Sequence, residues 1–277
     1  MGPAGRALWF IESHFANDIT LEDIASSAAV SRYHMSRAFE LATGRSVMRY
    51  VRERRLTEAA RVLANGAPDI LSVALDAGYG SHEAFTRAFR DLFGLTPEMV
   101  REQHHLNNID LKEPIKMEEA VLTHLEAPSF EISKPLLIGG LGEHYTCETS
   151  AGIPAQWQRF LPYFNHIQGQ VGRTAYGVRC NSDEEGNFDY ICGVEVSDFS
   201  ELPAEWSRVR IPQQRYAVFA HHDHISTIRR TWSTIWNTWL PKSGHEVADA
   251  PDFERYAEDF NPDTGRGGVE IWVPIKT

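Results

Sequence analysis

Ser31-Arg32-Tyr33-His34-Met35-Ser36-Arg37-Ala38-Phe39 returns 50 residues later as Ser81-His82-Glu83-Ala84-Phe85-Thr86-Arg87-Ala88-Phe89. Both copies run on to a helix-ending glycine, Gly44 and Gly94, and then to a fresh capping residue, Ser46 and Thr96. A short helical stretch precedes each copy, Leu21 to Ser27 and Ile70 to Ala77. In these, Ile24-Ala25 and Val73-Ala74 set an apolar residue beside a small one, and small residues let two helices cross closely, as a helix-turn-helix requires. A repeat made only for packing accounts for Met35, Phe39, Phe85 and Phe89, four residues apart on one face. It does not account for Ser31 matching Ser81, Ser36 matching Thr86 and Arg37 matching Arg87 on the other. The pattern predicts two helix-turn-helix units in tandem, each with a polar face suited to double-stranded DNA.

Local chemistry places the helix boundaries independently. Thr20 and Asp23 form a capping box, Ser31 and Ser81 stand at N-cap positions, and Thr96-Pro97 opens a last helix. Helical spacing puts Arg32, Tyr33, Ser36 and Arg37 opposite Met35 and Phe39 in the first reading helix. Ser81, His82, Glu83, Thr86 and Arg87 share the matching face of the second. An arginine so placed binds guanine O6 and N7 through both arms of its guanidinium, and Glu83 either accepts from a cytosine amino group or repels a phosphate.

The stretch Ala7 to Gln103 resembles the AraC/XylS family of transcription regulators. The resemblance is carried by DITLEDIASSAAVSRYHMSRAFELATGRSVMRYVRERRLTEAARVL and by ILSVALDAGYGSHEAFTRAFRDLFGLTPEMVR, whose Gly78-Tyr79 and Phe-Gly-Leu-Thr-Pro close are the most specific part. It implies a domain of seven helices, in which a long central helix, Val47 to Leu63, holds two reading helices in successive major grooves. It also implies RNA polymerase as a partner. Glu83 departs from the family's usual uncharged residue.

A net charge of −11 looks wrong for a DNA binder until it is divided along the chain. Residues 1–105 carry 12 arginines against 13 acids, whereas the remainder carries 15 basic and 25 acidic residues. The acidity therefore belongs to the second part and should weaken non-specific DNA binding. Arg49, Arg52, Arg54, Arg55 and Arg61, on and near the central helix, are candidates for phosphate contacts or for solvent. At 277 residues and 42% hydrophobic composition the chain has room for two cores. No apolar run reaches membrane-spanning length and no signal peptide opens the sequence, so the cytoplasm is the expected compartment. Cys147, Cys180 and Cys192 lack metal-ligand spacing and are expected to be reduced.

Residues 106–116 are polar, contain a proline and lack periodicity; they are read as a tether between domains 1–105 and 117–277. Beyond them the pattern turns to strands and does so twice. The first pass predicts a strand from Phe130 to His144, a helix from Ala155 to Ile167, and a hairpin of Thr174 to Cys180 with Phe188 to Val196. The second predicts a strand from Ser207 to His221 broken at Pro212, a helix from Ile225 to Leu240, and a hairpin of Phe253 to Phe260 with Gly268 to Ile275. The fold class is thus an all-helical tandem helix-turn-helix domain followed by an α+β domain of two strand-helix-hairpin modules.

The second half resembles the GyrI-like effector-binding domain found in multidrug-sensing regulators. RIPQQRYAVFAHHDHISTIRRTWSTIWNTWLPKSGHEVADAPDFERYAEDF and the closing GGVEIWVPIK carry the resemblance. It implies a pseudo-twofold axis relating the modules, a cleft between them, and lipophilic cations read by a buried carboxylate among aromatic rings. The family's carboxylate maps onto Glu254 in DFERY, with Glu270 and Glu195 as rivals. Tyr145, Tyr190, Trp206, Tyr256 and Trp272 are the candidate aromatic walls, while Trp232, Trp236 and Trp239 are assigned mainly to core. A cation without hydrogen-bond donors suits such a site, because ring quadrupoles and one carboxylate attract it without directional bonds.

His221-His222-Asp223-His224 offers zinc ligands, yet consecutive residues leaving a strand point to opposite faces. No metal is assigned, and Asp223 is placed to cap the following helix. Without a nucleophile elbow or phosphate loop, no catalytic residue and no cofactor are assigned. The expected function is a DNA-binding transcription regulator that responds to a small molecule. The alternatives are a hydrolase, with Glu254 and Tyr256 orienting water, and a protein-docking module.

Overall fold

The computed structural model describes residues 1–107, 109–116 and 124–276. The first third is helical: α1 (Pro3–His14), α2 (Leu21–Ser27), α3 (Arg32–Thr43), α4 (Val47–Ala64), α5 (Ile70–Asp76), α6 (His82–Phe93) and α7 (Pro97–Gln103). The starts lie where the capping residues put them. Thr20 and Asp23 close their box, and Ser31, Ser81 and Thr96 accept from the backbone N–H groups of His34, Ala84 and Met99. Ser46 makes no such bond. Helices α3 and α6 both end at a glycine in the left-handed region, Gly44 (φ 74°) and Gly94 (φ 72°). Met35 and Phe39 lie in one core, with α1, α2 and the start of α4; Phe85, Phe89 and Phe93 lie in a second, with α5 and the end of α4.

The tether is not free. Ile109 is buried in the second core, Lys112 N–H donates to Thr57 Oγ1 (3.1 Å), and Ile115 N–H donates to Tyr50 Oη (3.1 Å). Its apolar residues Leu106, Ile109, Leu111 and Ile115, together with these backbone bonds, hold it along the helical cores. The expected domain start at Met117 lies outside the described residues.

Among the described residues, the remainder builds one antiparallel sheet of eight strands: β1 (Ser129–Ile132), β2 (Leu136–Tyr145), β3 (Gln170–Cys180), β4 (Phe188–Val196), β5 (Ser207–Ile211), β6 (Arg215–His221), β7 (Asp252–Tyr256) and β8 (Val269–Pro274). Their order is β1-β6-β8-β7-β3-β4-β2-β5, symmetric about the β7–β3 pair. The long strand expected from Phe130 breaks before Pro135, and the one from Ser207 breaks at Pro212, since proline has no N–H for a ladder. Each break lets the leading strand cross to the other module: β1 pairs with β6, and β5 with β2.

Helix α8 (Ile153–Phe160) covers one module and α9 (Ile228–Thr234) the other. The expected helix Ala155 to Ile167 starts earlier and decays into a 3-10 turn at Leu161–Tyr163. After α9 the chain widens into a π-helical turn, Ile235–Trp239, before α10 (Leu240–Ser243). Pro241 supplies the reason, because it has no N–H for the Asn237 carbonyl four residues back.

Candidate functional site

The central β3–β7 pair sets Gly177 opposite Glu254 and Arg179 opposite Asp252. Strand alternation turns Asp252, Glu254 and Tyr256 to the face that α8 and α9 cover. Between those helices lies a cavity of about 640 Å³, walled by Trp157, Phe160, Tyr190, Trp232, Tyr256 and Phe260. Glu254 lies buried at its floor and accepts three hydrogen bonds: from Tyr190 Oη (2.5 Å), Trp232 Nε1 (2.8 Å) and Tyr256 Oη (3.2 Å). Burial pushes its carboxyl above the ordinary range, and the three donors pull it back in part. Burial and the Glu254 charge together push both tyrosine hydroxyls far up, so they remain donors.

Helix α8 is clamped over this floor by Gln156, whose amide donates to the carbonyls of Leu141 and Tyr190 (2.9 Å each). Trp157 donates to Tyr190 Oη (3.2 Å) and sets its ring edge-on to Tyr256. Gly177 makes the floor possible. A Cβ there would stand 2.0 Å from Tyr190 Oη and 2.6 Å from Glu254 Oε2, so only a residue without one leaves room for their hydrogen bond.

The other proposed effector residues do not border the cavity. Phe253 and Arg255 point away from it, and β8 pairs them with Trp272 and Glu270. Trp272 therefore stacks on Phe253 (5.2 Å) and Glu270 pairs with Arg255 (3.0 Å), both on the far face. Glu195, one residue out of phase with Val194 and Val196, reaches Lys134 (2.7 Å). Tyr145 and Trp206 pack in the core beyond α8 with Phe160 and Phe188. Of the proposed set, the cleft unites Glu254, Tyr190 and Tyr256. It adds Trp232, which sequence spacing had left as core, Trp157, which sequence reasoning did not single out, and Asp252, which the DFERY alternation could have revealed as a second carboxylate on the Glu254 face.

The two reading helices differ. On α6, Glu83 and Arg87 are exposed, and Ser81, His82 and Thr86 are half-buried; Ser81 is engaged as a cap and His82 Nε2 lies 3.0 Å from Glu98. On α3 the expected DNA face is covered in part: Arg32 and Tyr33 stay exposed, while Arg37 is buried. Arg32 pairs with Glu184 (2.9 Å), Tyr33 sets its ring edge-on to Trp236, Ser36 is half-buried, and Arg37 is 8% exposed. Of the central-helix arginines, Arg49 and Arg52 are exposed, Arg55 and Arg61 are half-buried and Arg54 is buried. Arg54 chelates Glu12, Arg55 donates to the Phe15 and Asn17 carbonyls, and Arg61 pairs with Glu58 and Glu113. Arg49 and Arg52 reach across to Glu148 (2.9 Å) and Glu185 (2.8 Å).

The pattern of the GyrI-like small molecule binding domain matches residues 126–276. The chain belongs to that family. A helix-turn-helix domain matches residues 24–103. The chain is 23% identical over 281 residues to the transcriptional regulator Rob of Salmonella typhimurium, covering 97% of this chain and 96% of Rob. It is 30% identical over 135 residues to the transcriptional regulator BrlR of Pseudomonas aeruginosa, 48% of this chain and 50% of that one. Among solved structures it is similar to SAV2435 bound to tetraphenylphosphonium, at 17% identity and a TM-score of 0.45, covering 55% of this chain and 94% of that one. The chain is a DNA-binding transcription regulator, with an AraC-type helix-turn-helix domain followed by a GyrI-like effector-binding domain. Among the described residues, no helix is long and apolar enough to cross a membrane.

The GyrI-like domain meets α3 through buried polar contacts. His34 Nε2 lies 2.8 Å from the Trp236 carbonyl on the π-helical turn, and Asn237 Nδ2 donates to the Ala38 carbonyl (3.0 Å). Arg229 donates to the Glu40 carbonyl (2.9 Å). Beneath them four charges meet: Arg37 and Glu40 from α3, Arg179 from β3 and Asp252 from β7. Glu40 Oε2 takes Arg179 Nη1 (2.8 Å) and Arg37 Nη1 (3.3 Å), while Asp252 has Arg37 Nε at 3.5 Å and, among the described residues, accepts no hydrogen bond. Burial pushes the Glu40 carboxyl up, but Arg179 and Arg37 outweigh it and hold it low. Burial pushes Asp252 up and wins over the same two arginines. In the histidine run, His221 Nδ1 lies 2.8 Å from Thr231 Oγ1, and His224, rather than Asp223, caps the following turn.

Proposed function

We propose that the GyrI-like domain binds a lipophilic cation in the cleft beneath α8 and α9, and that its occupancy sets how the helix-turn-helix domain engages DNA and RNA polymerase. One observation carries this reading: Glu254 is held at the floor of an aromatic cavity by three neutral donors. Each partner donates, which favours the anion, and none brings a positive charge, so the charge is left for a ligand. A cation about 4 Å from it gains about 4 kcal/mol at an effective dielectric of 20. Each ring face adds about 0.5–2 kcal/mol.

Tyr190 and Tyr256 occupy Glu254 Oε2 and Trp232 occupies Oε1, which favours holding a charge over taking a proton from water, so the cleft is read as a sensor without turnover. Residues 1–105 are the DNA-reading unit, 106–116 the connection and 117–277 the sensor, in a chain that works in the cytoplasm. Calorimetry with tetraphenylphosphonium and with neutral triphenylphosphine oxide tests the reading. Glu254→Gln should weaken the cation roughly tenfold or more, equivalent to about 1.4 kcal/mol, and the neutral compound far less. Equal losses for both would reduce Glu254 to a structural residue.

A further inference from the structure

A guanidinium from the DNA-reading domain borders the cleft. The Arg37 guanidinium lies 5.1 Å from the centroid of the Trp232 ring, the same indole whose N–H donates to Glu254. Arg37, Asp252, Trp232 and Glu254 border one cavity. We propose that Arg37 is an internal ligand of this cleft, that Asp252 is its second anionic anchor, and that an external cation displaces the guanidinium and frees α3 to read DNA. The proposal rests on the cation-binding reading of Glu254 and names the regulation of that site.

The geometry around Asp252 is that of a replaceable pair. Asp252 is 1% exposed, yet among the described residues neither of its carboxylate oxygens accepts a hydrogen bond, and Arg37 Nε also lacks a hydrogen-bond partner there. A settled arginine–carboxylate pair is bidentate at roughly 2.7–2.9 Å. Here the nearest approach is 3.5 Å, which gives charge neutralisation without directional bonds. A donor-free cation supplies the same neutralisation and fills more of the cavity.

Covering α3 has a direct consequence for DNA. A reading helix must lie in the major groove with its polar face on the base edges. On that face Arg37 is buried against Asp252, and the exposed Tyr33 and Arg32 are engaged by Trp236 and Glu184. The acidic turn between β3 and β4 extends the block, since Glu184 and Glu185 hold Arg32 and Arg52 where phosphates would otherwise compete for them. The open reader on α6 is left to act alone until α3 is released.

Two measurements on the full chain test this, with tetraphenylphosphonium as the probe. Arg37→Met removes the internal competitor, and if the displaced form is populated at 1–10%, the probe should bind about 10- to 100-fold tighter than to the wild type. In the wild type, saturating probe should speed amide hydrogen exchange across Arg32–Thr43 while leaving α6 unchanged. Equal affinity in both proteins, with unchanged exchange in α3, overturns the internal-ligand proposal and leaves the Glu254 reading standing. Failure of the probe to bind either protein overturns both. Should Arg37→Met not fold, the wild-type exchange decides: protection of α3 that persists at saturating probe sinks the proposal.

Discussion

Replacing Gly177 by alanine puts one methyl group into the floor of the cleft. Its Cβ would stand 2.0 Å from Tyr190 Oη, 2.8 Å from Tyr190 Cζ and 2.6 Å from Glu254 Oε2. Tyr190 has little room to yield: it is 4% exposed, and α8 holds its carbonyl through Gln156 and its hydroxyl through Trp157. Overpacking of this kind costs about 1–3 kcal/mol, and a hydrogen bond to a charged group contributes about 1.5–3 kcal/mol. Moving Tyr190 incurs both at once, so the terms overlap, and alanine recovers about 0.4–1 kcal/mol through the unfolded chain. The net loss is about 2–3 kcal/mol. At roughly 2–4 °C per kcal/mol, the GyrI-like domain should melt about 4–12 °C lower by calorimetry. The clashing atom is the Tyr190 hydroxyl, so Gly177→Ala combined with Tyr190→Phe should be less destabilised than the sum of the single changes by more than about 1 kcal/mol. An unchanged melting temperature, or strict additivity, would refute the steric account of the floor.

Further outcomes follow from the two helices and their contacts. Arg87→Ala, on the open reading helix, should cost about 1–3 kcal/mol at its own half of the DNA site and relax specificity there; selection from random DNA checks this, and uniform weakening on every sequence would make Arg87 a phosphate contact. With both readers engaged in the presence of the cation, their recognised elements should lie about 10 base pairs apart. Inserting five base pairs between them should then abolish tight binding, and undiminished affinity in a gel-shift titration would mean that one reader suffices. Burial holds the His34 imidazole below its ordinary 6.5, so the unfolded chain takes up this proton first as pH falls below 6.5. The stability tied to neutral His34 is intact above 6.5 and is lost on acidification through the folded-state value. Thermal melts from pH 7.5 downward should fall more steeply for the wild type than for His34→Gln, and parallel curves would exclude His34 as the source.

The helical domain was largely legible because its signals are local. Ser31, Ser81 and Thr96 cap within three residues of themselves, Gly44 and Gly94 stop their helices by their own backbone freedom, and a fifty-residue echo shows that the unit occurs twice. The hairpin that contains β7 was legible from its pattern, and the family resemblance selected Glu254 within it. Alternation does not say which face a helix will cover. That choice, made by the docking of α8 and α9, kept Glu254, Tyr190 and Tyr256 and removed Trp272, Glu270 and Glu195.

The fate of Arg37 lay beyond sequence reasoning for the same physical cause on a longer scale. Helical period placed it opposite Met35 and Phe39, which is correct, and a polar residue on an open helix face reads as available to DNA. What it meets is set by contacts between α3 and the π-helical turn some 200 positions away, as in the His34–Trp236 pair at a separation of 202 residues. The sequence by itself determined that α3 has a second, polar face; the tertiary structure alone decided that this face closes on the effector cleft, because burying it required a partner surface that no local pattern encodes.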